Sequence, residues 1–100
     1  IGVGHVVGKC LLTGVLGKGG RGTVFGGLHQ TLNLPVAVKV LKPRDDAAGW
    51  DADELRHEAQ MLARLNHPNV IRVLDFDVAP VPYVVMELVE GPTLADLIAQ

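Results

Sequence analysis

A chain of 100 residues with 48% apolar and only 4% aromatic side chains suits one small domain with an aliphatic core and leaves no room for two independent ones. A formal charge of -2 without a block of like charges argues against a general nucleic-acid or anionic-membrane surface. One cysteine, Cys10, excludes an internal disulfide, and no Cys/His cluster stands at zinc spacing, so a cytoplasmic, reducing location is expected.

Ile1 to Gly8 is apolar and glycine-rich but has no basic leader and does not reach membrane-spanning length, so residues 1–8 read as a lead-in segment. Leu11 to Leu16 enters the stretch Gly17-Lys18-Gly19-Gly20-Arg21-Gly22, and Thr23 to His29 leaves it. The two flanks predict antiparallel strands folded over the glycines. Thr31 to Pro35 is a turn, Val36 to Leu41 the strongest strand, and Pro43 to Gly49 a breaker-rich loop.

Asp51 followed by Glu54 predicts a capped helix start. Leu55, Ala59, Leu62 and Asn66 then recur at three- and four-residue steps with Leu65 beside them, and Glu58 falls on that stripe while Arg56, His57, Gln60 and Arg64 project away. His67-Pro68-Asn69 ends the helix, since proline disfavours helical geometry before it. Val70 to Phe76 and Tyr83 to Leu88 are two further strands, and Thr93 with Asp96 opens another helix that has no closing signal before Gln100, as in a fragment. The expectation is an α+β fold, a five-stranded antiparallel sheet with one packed helix inserted after the third strand.

Two charges sit where apolar residues belong. Lys39 lies within Val36-Ala37-Val38-Lys39-Val40-Leu41 and Glu58 lies on the apolar stripe of the helix; each costs several kcal/mol to bury unless neutralised, so mutual neutralisation is the simplest reading. By the two-residue period Ala37 and Lys39 share a face, which leaves space for a flat ligand whose phosphates the ammonium could reach. Gly17, Gly19 and Gly22 match G-x-G-x-x-G, a pattern shared with dinucleotide-binding folds, but those need a helix where Thr23-Val24-Phe25 favours a strand. Taken singly, each feature has a plain alternative: a glycine-rich turn, an exposed edge lysine, a glutamate reaching to water.

In this order the motifs resemble the N-terminal lobe of a eukaryotic-like serine/threonine protein kinase of the bacterial type. The resemblance covers residues 9–91, with 92–100 as hinge exit and start of a following helix. It implies ATP as the nucleotide, held by the loop of Leu16, Gly17, Gly19, Gly22 and Val24, with Lys39 on the α- and β-phosphates and Glu58 orienting Lys39. His67-Pro68-Asn69-Val70 resembles the loop after that helix. Met86 would be the gatekeeper, the backbones of Glu87 and Val89 would meet the adenine edge, and Leu16, Val24 and Ala37 would sandwich the ring.

The sequence contains neither an H-R-D catalytic loop nor a D-F-G motif; Asp75-Phe76-Asp77 follows the His67 loop too closely and belongs to a strand. The C-lobe is therefore expected to be absent, and with it the Mg ligands and the contact to a protein substrate, so the segment itself is expected to be inactive. The resemblance implies no nucleic-acid partner and no membrane contact within this segment. Lys39 and Glu58 are expected to be able to meet, with the helix position depending partly on the missing lobe. A non-catalytic, self-associating interaction module that ends near Gln100 is the competing reading, motivated by the termination of the sequence together with an underside that, by the resemblance, a C-lobe would normally cover. A small-molecule phosphotransferase would share the loop and lysine, but the His67 loop favours the protein-kinase branch.

Overall fold

The computed structural model describes residues 1–42, 49–64, 72–79 and 81–87. Six strands form one antiparallel sheet: β1 (Val6–Val7), β2 (Cys10–Gly19), β3 (Gly22–His29), β4 (Leu34–Leu41), β5 (Val73–Asp77) and β6 (Tyr83–Glu87), in the spatial order β1-β2-β3-β4-β6-β5. The helix α1 (Ala52–Ala63) follows β4. The α+β arrangement is as expected, with one more strand. That strand is β1, in the lead-in segment: Gly8, at φ +60°, turns the chain so that Val6 pairs with Leu11 and Val7 with Cys10. Two valines are too few to show a period-two pattern, which is why the sequence alone does not reveal them.

Side chains on the two faces of the sheet build two separate aliphatic clusters. Val24, Ala37, Leu41, Val84 and Met86 meet Leu55, Ala59 and Leu62 of α1. On the opposite face Val36, Val38, Phe25, Tyr83 and Val85 pack with Val7, Cys10 and Leu12. The alternation along β4 thus holds as the period-two rule requires, Ala37, Lys39 and Leu41 toward the helix and Val36 and Val38 away from it. Val7 is completely buried, so the first residues close the second cluster.

Helix α1 begins where the cap predicts: the Asp51 carboxylate accepts the Glu54 amide at 2.8 Å, which satisfies one of the open N–H groups of the first turn. Its buried residues are Leu55, Glu58, Ala59 and Leu62. Leu65, Asn66 and the His67-Pro68-Asn69 loop lie outside the described residues. Asp75, Phe76 and Asp77 lie in β5, where the Asp75 and Asp77 carboxylates accept the amides of Phe76 and Val78.

Candidate functional site: a glycine hairpin beside a buried lysine

The glycine stretch is the end of a hairpin, with Gly17 opposite Val24, Lys18 opposite Thr23 and Gly19 opposite Gly22, and Gly20 and Arg21 forming the tip. The hairpin lies close on β4. A Cβ at Gly22 would overlap the Val40 carbonyl oxygen, so only a residue without a side chain lets the backbone come this near. The tip is fixed just past the end of that strand, because the Lys42 amide donates to the Arg21 carbonyl at 2.9 Å.

Cross-strand pairing collects the predicted residues on one face. Lys39 stands between Val24 and Val84, and Ala37 between Gly26 and Met86. Directly opposed residues share a face, so Val24, Ala37, Lys39 and Met86 form one surface, with Leu16 packed against the same cluster. Leu16 also lies over Gly26, in van der Waals reach of where a side chain there would stand. Glu87 is half-exposed at the end of β6, and its amide donates to the Arg72 carbonyl at 2.9 Å. Val89 lies outside the described residues.

Lys39 and Glu58 are the buried charged side chains among the described residues, at 1% and 3% exposure. Lys39 Nζ lies 3.8 Å from Glu58 Oε1. Burial draws the lysine below its ordinary pKa; the Glu58 carboxylate opposes this and the Arg21 guanidinium adds to it. The second oxygen of Glu58 has a partner that sequence reasoning missed: Arg21 Nη2, at 2.7 Å. Nothing local signals this contact, since the two residues are 37 positions apart. Above α1 a cavity of about 410 Å³ opens, lined by Arg21, Trp50, Asp53, Glu54, His57, Glu58 and Met61.

In comparison with known proteins, residues 12–100 match the protein kinase domain. The chain belongs to the protein kinase family. It is 41% identical over 101 residues to the serine/threonine-protein kinase PknB of Mycobacterium leprae, covering 94% of this chain and 16% of that protein. It is 38% identical over 84 residues to the serine/threonine-protein kinase pkn2 of Myxococcus xanthus, covering 83% of this chain and 10% of that protein. Among solved structures, the PknI kinase domain of M. tuberculosis superposes with a TM-score of 0.64 at 27% identity, over 91% of this chain and 37% of that one. This kinase segment therefore spans only a small part of the curated relatives it matches, and about a third of a solved kinase domain. No helix among its described residues is long and apolar enough to cross a membrane.

Proposed function

We propose that the segment is the nucleotide-binding lobe of an intact cytoplasmic serine/threonine protein kinase that moves the γ-phosphate of ATP to a protein hydroxyl, and that the segment alone does not catalyse. One observation carries the reading: a fully buried lysine, 3.8 Å from a buried glutamate, on the face it shares with the small Ala37 and on the strand paired with the second arm of the glycine hairpin. Nothing in a merely structural sheet calls for an ammonium there, because a leucine at this position would be buried without desolvating a charge.

The chemistry of the residues suits the nucleotide, although Val24, Ala37 and Met86 are packed with α1, so a ring would have to part them from the helix side. In this reading they and Leu16 would give a flat ring an apolar surface, and Lys39 would give the phosphate end a cation. In this reading Gly17, Gly19 and Gly22 bring backbone close to the phosphates, and Glu58 keeps the Lys39 side chain aimed. The Glu87 amide is already given to Arg72, so Glu87 would offer the adenine edge its carbonyl. Val89 completes the hinge in the proposal. When bound, Mg-ATP supplies the transferable phosphoryl group and the divalent charge that neutralises it, with the metal ligands provided from beyond this segment.

Lys39→Met in the intact kinase tests this. Loss of phosphoryl transfer by at least a hundredfold, with an unchanged circular dichroism spectrum, is expected; turnover within tenfold of the parent would rule out the role assigned to Lys39.

A further inference from the structure

Arg21 does more than occupy a loop position. Its backbone is anchored through the Lys42 amide, and the Trp50 indole donates to the carbonyl of the same Lys42 at 2.9 Å. Hairpin tip, end of β4 and entry to α1 are thus tied at one residue. From this anchor the Arg21 side chain crosses to the helix and donates to Glu58 Oε2 at 2.7 Å.

The two cations hold Glu58 unequally. A separation of 2.7 Å is that of a charge-assisted hydrogen bond, whereas 3.8 Å between Lys39 and the other oxygen is an ion pair too long for one. The carboxylate is 4% exposed and the arginine side chain 49%. The stronger contact therefore comes from a half-exposed group that can leave, and the weaker from one that cannot.

We infer that Arg21 is a positioning residue that competes with Lys39 for Glu58, pinning the glycine hairpin to α1 so that nucleotide entry must release it. The inference rests on the proposed phosphate role of the hairpin and Lys39. Phosphates entering beneath the hairpin require the tip to lift or the guanidinium to turn, and either movement breaks the 2.7 Å bond. Apparent affinity is then reduced by the fraction of chains still latched. Released, Glu58 is free to close on Lys39.

The test is ATP binding by calorimetry and steady-state kinetics on the intact kinase, comparing the parent with Arg21→Ala, Arg21→Gln, Glu58→Gln, the Arg21→Ala/Glu58→Gln double variant and Lys39→Met. Removing the latch is expected to lower Kd and KM for ATP by roughly three- to tenfold in both Arg21 variants, with the gain in KM rather than in kcat, and to do nothing in the Glu58→Gln background. A Kd that is unchanged or raised in the Arg21 variants, or an Arg21 effect that persists at full size without Glu58, overturns the competition. If instead Lys39→Met binds and turns over ATP like the parent, the reading of the site itself has failed and the competition with it; an inactive Lys39→Met beside an unmoved Arg21→Ala rejects the competition alone.

Discussion

Lys39 and Glu58 face each other across 3.8 Å with both side chains almost wholly out of solvent, and the other oxygen of Glu58 is bonded to Arg21 at 2.7 Å. Replacing one partner should therefore not cost the same as replacing the other. Lys39→Met leaves the carboxylate with the guanidinium, and its expected effect on stability is below about 1.5 kcal/mol. Glu58→Leu removes two contacts at once, those to Lys39 and to Arg21, and is expected to cost about 3 kcal/mol. Urea unfolding of the two variants measures the difference; equal losses would contradict the unequal pairing.

The hairpin's closeness to β4 separates two neighbouring glycines. A side chain at Gly22 meets the Val40 carbonyl, whereas one at Gly20 meets nothing within 4 Å. Gly22→Ala should destabilise by about 1 to 3 kcal/mol through forced backbone displacement, and Gly20→Ala by less than about 0.5 kcal/mol. Thermal unfolding of both variants, with ATP affinity measured alongside, distinguishes them.

Val7 seals the second cluster, in which Cys10 is fully buried. Val7→Ala should cost about 2 kcal/mol, and removal of residues 1–8 more. The Cys10 thiol reports the change directly: unreactive to a thiol reagent in the native chain, it should become reactive in both variants at a rate set by local opening. A Cys10 that stays protected after removal of residues 1–8 would show that the segment is dispensable.

Alkaline pH should act on the same cluster. Burial, followed by the charge of Asp75, raises the Cys10 thiol above its ordinary 9.0, and the same two causes lead in raising the Tyr83 hydroxyl above 10.0. Each group keeps its proton longer in the folded chain than in the unfolded one, so its contribution is complete below the unfolded value and is lost as pH rises from there toward the folded value. Lys39 has the opposite sign, since its lowered pKa lets the unfolded chain bind more protons below 10.5. Stability measured from pH 8 to 10.5 should fall less steeply in Cys10→Ala than in the parent; parallel curves would remove Cys10 as a cause.

Local rules were sufficient for most of the fold. The period-two pattern separates Ala37 and Lys39 from Val36 and Val38, the cap at Asp51 sets the start of α1, and the three- and four-residue steps of Leu55, Ala59 and Leu62 aim Glu58 inward, because these signals depend on neighbours a few positions apart. The same reasoning marked Lys39 and Glu58 as a pair, through the cost of leaving either charge buried alone. Three relationships were decided only in three dimensions. Val6–Val7 becomes a strand because the Gly8 turn lays it against Cys10 and Leu11, Gly22 is required as glycine by Val40 of a different strand, and Glu58 is shared with Arg21, 37 residues away. Each depends on the separation of two backbones or two charges that chain folding brings together, and a pattern read along one dimension carries no such distance.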